Sequence, residues 1–171
     1  MVIDLDYNEW RQKALHQYDS AFHLLNVTYA SVKDPKMLIG VISNLTLGME
    51  YTMEAILAYE RQLKLIPVYG DSFQGKLNMF RLKSLPRNKI PMSYVLLLID
   101  LKQVLELHKK APVEFQRGNS LIICNNEFRV KGLSAPDIQG YLLQAKEFMD
   151  MMSQIVTKYD QTGAREFWLF F

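Results

Sequence analysis

Between Ile138 and Tyr159 the apolar residues fall at steps of three and four. Ile138, Tyr141, Leu142, Ala145, Phe148, Met149, Met152, Ile155, Val156 and Tyr159 make the cleanest amphipathic series in the chain. A helix advances about 100° per residue, so this spacing paints one side of a long α-helix and demands a core for it to cover. The same signature opens the chain. Trp10, Ala14, Tyr18, Ala21, Leu25, Tyr29 and Val32 form a stripe about six turns long, preceded by "DYNE", where Asp6 can cap and Glu9 can reach back. Two such stripes at the ends of one chain predict a helical bundle.

The segments between them fit that class. At "KDPK", Asp34 can cap a second helix with Pro35 in its first turn, and the pattern then runs from Pro35 to Ile66, where Pro67 should stop it. "PVYGDSFQG" reads as a turn-rich connection, residues 76–84 as a short helix, and roughly 92–110 as a fourth helix ending in the cations "HKK". The one β signal is "EFQRGNSLIICNNEFRVKGL", an apolar run, an Asn-Asn turn and an alternating continuation. It predicts a β-hairpin at about 113–133, and Ser134 then caps the last helix. The expectation is an all-α bundle of about five helices, with one hairpin inserted before the last, in a single domain over residues 1–160. An apolar tail, 161–171, follows.

Composition limits the functions. With 171 residues and net charge +2, bulk charge favours no particular partner, and the longest apolar run, "YVLLLI", is too short to span a membrane. A single cysteine, Cys124, has no partner for an internal disulfide, and the amino terminus lacks the pattern of a signal peptide, so a cytoplasmic setting is expected.

Candidate chemistry is sparse. Arg11 and His16 lie five residues apart, so on a helix they point about 140° away from each other and make no concerted pair. His16, Asp19 and His23 share the polar side of the first helix. The two histidines stand about 10 Å apart along its axis, so one ion would not reach both. Glu50 and Glu54 begin a di-metal pattern whose Glu-x-x-His partner is absent. No nucleotide-binding loop, nucleophile motif or zinc spacing occurs. The expectation is a non-enzymatic protein with no metal or cofactor.

Three features point to partners instead. Gly40, Asn44, Gly48 and Thr52 recur every four residues, a row of small side chains that admits another helix closely, from within the chain or from a second copy. The tail ends in "FWLFF". Phe167, Trp168, Phe170 and Phe171 either pack back over the bundle or enter a groove on a partner. From Arg61 to Ile99 there are seven cations against one anion, interleaved with Tyr69, Phe73, Phe80 and Tyr94. Phosphates held by Lys76, Arg81, Lys83, Arg87 and Lys89, with bases stacked on those rings, would suit RNA.

Two stretches, "AFHLLNVTYASVKDPKMLIGVISNL" and "LHKKAPVEFQRGNSLIICNNEFRVKGLS", resemble a group of small uncharacterised archaeal proteins. That resemblance implies an architecture and no mechanism. The second helix, "VISNLTLGMEYTMEAILAYERQLK", resembles the central helix of HEPN-type bundles, which often dimerise and include both ribonucleases and inactive binding modules. HEPN ribonucleases carry a late Arg-x4-6-His motif, and His108 has no arginine four to six residues before it. The resemblance therefore implies an inactive, binding member. The expected function is binding or assembly, with self-association as a homodimer. RNA binding through the basic segment is the first alternative, and a HEPN-like ribonuclease using Arg11 and His16 the second.

Overall fold

A computed structural model describes residues 6–168, with side chains described as far as residue 158. Among the described residues there are five helices and a small antiparallel sheet. Helix α1 (Tyr7–His23) runs on through a π-helical stretch (Leu24–Tyr29) and a last turn (Ala30–Val32), and Lys33 closes it in the left-handed region, φ 60°. Asp6 stands at its N-cap in extended backbone, and its carbonyl, not its side chain, accepts from Glu9 and Trp10.

The π stretch corrects the first stripe. Ala14, Ala21, Leu25 and Tyr29 are buried as expected, whereas Val32 is 61% exposed. From Ala14 to Val32 is eighteen residues, five full turns at 100° each, so an unbroken α-helix would align them. Widening one turn to the i→i+5 pattern delays the phase and swings Val32 into solvent.

Helix α2 (Met37–Gln62) supplies more of the core than any other element. Leu38, Ile42, Leu45, Met49, Met53, Ile56 and Leu57 are fully buried, and α1 lies along it. It starts later and stops earlier than the proline positions suggest. Pro35 sits in a turn braced by the Lys36 amide donating to the Asp34 carboxylate (3.0 Å). At the other end Lys64 turns left-handed (φ 58°) and the Leu65 amide reaches back to the Glu60 carbonyl (2.8 Å), ending the helix before Pro67.

Helix α3 (Phe73–Met79) begins at Ser72, whose hydroxyl accepts from the Gly75 amide. It continues through a second π stretch (Phe80–Ser84) into Leu85–Arg87, so it is longer at both ends than 76–84. Helix α4 (Met92–Lys110) follows Pro91 and ends in His108, Lys109 and Lys110. Next come strands β1 (Val113–Arg117), β2 (Ser120–Cys124) and β3 (Val130–Ser134), an antiparallel meander in the order β1-β2-β3. The sheet thus has three strands where the sequence suggested a two-stranded hairpin. Helix α5 (Ala135–Trp168) starts directly from it, with Ser134 and Asp137 exchanging hydrogen bonds at the junction.

The sheet's inner side, Leu121, Ile123 and Leu133, joins the helical core. In the helical part Phe148 of α5 stacks on Tyr94 of α4 (5.2 Å) and meets Phe80 edge-on (6.0 Å). No described helix is long and apolar enough to cross a membrane. The side chains of Phe167 and Trp168, and residues Phe170 and Phe171, lie outside the described residues.

Candidate interaction surface

Strand β1 is built from alternating residues and closed by a two-residue turn. Gly118 takes the first turn position with φ 60°, and Asn119 follows with φ negative, the type II′ pattern that matches the twist of a hairpin. Glycine is needed there because an L side chain rarely adopts that φ. Beyond β2, Asn125 organises the next turn. Its carboxamide oxygen accepts from the amides of Glu127 (3.0 Å) and Arg129 (2.8 Å), and its carbonyl accepts from the Phe128 amide (3.1 Å). This clamp holds Phe128 at φ 60°, an outlying conformation for a bulky residue, with its ring 86% exposed.

Pairing places Val113, Cys124 and Val130 in one row across the sheet and Phe115, Ile122 and Gly132 in the next, all on the outer side. Val113 (50%), Phe115 (48%) and Val130 (64%) are exposed, and Ile122 and Cys124 are partly covered. The inner side is tied to the helices by Lys131 with Asp100 (3.6 Å), and His108 meets Glu114 there. Helices α4 and α5 lie against β2 and β3, which leaves β1 beside β2 at an open edge. An apolar face rimmed by polar residues beside an unpaired strand edge is a protein-docking geometry.

The acidic groups of α2 are accounted for by packing. Glu50 pairs with Lys102, whose ammonium also sits 3.8 Å from the Phe73 ring centre. Glu54 pairs with Lys76 at 2.5 Å. Burial nevertheless pushes the Glu54 carboxyl above its usual range, outweighing the lysine. Folding thus raises its proton affinity, a cost at neutral pH that eases as the pH falls through the raised value. Glu60 is 1% exposed and accepts from the Ser84 hydroxyl, the Asn88 carboxamide (2.8 Å) and the Arg87 guanidinium (3.2 Å). Arg87 also donates to the Leu65 carbonyl (3.0 Å), clamping the end of α2 to the end of α3. This cluster borders a cleft of about 560 Å³ with Leu63, Lys89, Met151 and Ile155 on its walls.

The residues singled out from the sequence are dispersed by the fold. Lys76 and Arg87 point into ion pairs, while Arg81, Lys83 and Lys89 are exposed. Arg81 borders a groove with Phe73, Ile99 and Lys102, Lys89 borders the Glu60 cleft, and Lys83 borders neither, so the exposed cations do not line one site. The interleaved aromatics are spoken for as well. Phe80 and Tyr94 are buried, Phe73 carries Lys102, and Tyr69 lies under Arg61. Arg11 is half-buried and His16 is exposed beside Tyr51 and Gln17. Among the described residues no three His, Cys, Asp or Glu side chains come together to hold a metal.

The small-residue row is used within the chain. A Cβ on Gly40 would come 3.0 Å from the Leu24 side chain, and one on Gly48 would lie 3.5 Å from Ala14, Gln17 and Tyr18. Asn44 is half-buried between them. Gly48→Ala is therefore expected to be neutral or to stabilise by up to about 1 kcal/mol, because the methyl finds ordinary contact and helix propensity improves. Gly48→Leu should cost about 1–3 kcal/mol or more by forcing α1 outward, and urea melts of both variants check the contrast.

Sequence reasoning missed β1 as a separate strand, although Gly118-Asn119 between alternating segments is a two-residue hairpin signal. It also missed Glu60, Ser84 and Asn88, which lie 24 and 28 positions apart and carry no local pattern. Compared with protein families, with curated proteins and with solved structures, the chain matches none.

Proposed function

We propose that the chain is a non-enzymatic binding and assembly protein that self-associates as a homodimer, with the open β1 edge of its sheet and the apolar side chains on the outer side beside it as the meeting surface. The observation that carries this reading is the exposed apolar face of Val113, Phe115 and Val130, beside Phe128, on a sheet whose β1 edge is open. The Gly40/Gly48 row, the first interface suggested by the sequence, is occupied by α1 of the same chain, which moves the proposed interface to the sheet. The acids of α2 are matched to bases by packing, which favours binding over catalysis.

The same reading takes the chain as a HEPN-like bundle of the inactive kind. The central place of α2 supports it, as do Arg11 and His16 lying on different sides of α1. RNA binding has less support, since two of its five cations hold buried or half-buried carboxylates, Phe80 and Tyr94 are buried, and Tyr69 and Phe73 already carry cations of the same chain. A variant made to test RNA must spare Arg87 and use Arg81 and Lys83.

Sedimentation velocity across a concentration series tests the proposal. The wild-type chain should form dimers as concentration rises, and Phe115→Lys together with Phe128→Ser should weaken them by about tenfold or more. A wild-type chain that stays monomeric throughout, or a double variant that dimerises equally well, would remove the sheet from this role.

A further inference from the structure

The backbone of β1 specifies how two copies would join. This step rests on the self-association just proposed. Arg117 and Ser120 flank the two-residue turn as a hydrogen-bonded pair, and the pattern alternates from there. Val113, Phe115 and Arg117 therefore direct their N–H and C=O groups at β2. Glu114 and Gln116 direct theirs outward at the open edge. All five residues of β1 are exposed.

We infer that β1 pairs antiparallel with β1 of a second copy, on a two-fold axis through Phe115, joining two three-stranded sheets into one of six strands. In this register Glu114 faces the partner's Gln116 and Val113 faces the partner's Arg117, so no like charges meet. All five residues pair, and Glu114 and Gln116 exchange four backbone hydrogen bonds with their counterparts. The alternatives are worse. Centring the axis on Glu114 opposes two carboxylates and brings Pro112, which has no N–H, into the ladder. Centring it on Gln116 runs the partner's edge into the Gly118-Asn119 turn. With the axis at Phe115 the two rings meet at a non-hydrogen-bonded position, where cross-strand side chains approach most closely. A five-residue strand buries less than the roughly 1,000 Å² of a tight interface, so the dimer should be concentration-dependent.

The test uses the full chain. In a Cys124→Ser background, Phe115→Cys should form a covalent dimer under mild oxidation, because Cα atoms at a non-hydrogen-bonded pair lie about 4.5 Å apart, within disulfide reach. Val113→Cys, which faces the partner's Arg117, should not. Gln116→Lys sets an ammonium opposite the partner's Glu114 and should tighten the dimer by about fivefold at low salt. Gln116→Pro removes an outward N–H without touching β1–β2 pairing and should loosen it by more than about tenfold. Circular dichroism verifies that each variant folds. In the wild-type chain, the Glu114 and Gln116 amides should exchange more slowly with deuterium as concentration rises. A wild-type dimer in which Phe115→Cys fails to cross-link, or Gln116→Lys loosens association, overturns this register and leaves self-association standing. A chain monomeric at every concentration overturns both.

Discussion

Phe148→Ala should lower stability by about 3–5 kcal/mol, and the melting temperature by roughly 10 °C or more. Phe148 is 1% exposed and is the meeting point of three elements, stacked on Tyr94 of α4, edge-on to Phe80 of α3, and carried by α5. Truncation removes a large buried surface and leaves a cavity between helices that cannot all close onto it. Phe148→Leu keeps most of the volume and should cost less than half as much. Denaturant melts of the three proteins give the comparison. An alanine cost below about 1 kcal/mol would mean that the rings are not a packed unit.

Arg87→Ala is expected to cost about 2–3 kcal/mol, a value reduced from that of a fully buried pair because the guanidinium is 35% exposed. The loss has two sources. Glu60 keeps Ser84 and Asn88 but loses its cationic partner, and the Leu65 carbonyl at the end of α2 loses a donor. Glu60→Gln in the same chain removes the uncompensated charge, so the double variant should be more stable than the sum of the two single costs. A double-mutant cycle with coupling near zero would show that Arg87 serves only Leu65.

Local signals carried α4 and the start of α5. Pro91 and the basic end "HKK" bracket α4 at residues 92–110, and Ser134 with Asp137 makes a capping pair whose spacing is visible in the chain. Where tertiary geometry decides, local signals misled. Pro67 is a strong stop, yet Lys64 in the left-handed region had already closed α2. The basic segment looked uniform along the sequence because spacing alone does not show that Lys76 and Arg87 meet carboxylates on another helix. The candidate surface was hidden for a related reason. The hairpin read from the sequence lay between the apolar run and the alternating stretch after Asn125-Asn126, so Val113 and Phe115 were not seen as a third strand, and only their place on the outer side of the sheet leaves them in solvent.

The π stretch at Leu24–Tyr29 has a genealogical consequence. A π turn is an α-helix holding one residue more than its pitch requires, the trace an insertion leaves when the flanking turns are too well packed to unwind. Removing one residue between Leu24 and Tyr29 should restore a continuous α-helix and leave the end of α1 where it is, with Val32 still about 100° away from Ala14, now seventeen residues on. In an alignment with a chain that never gained the residue, a single gap should fall inside that hexapeptide, and the residues downstream of it would come back into register.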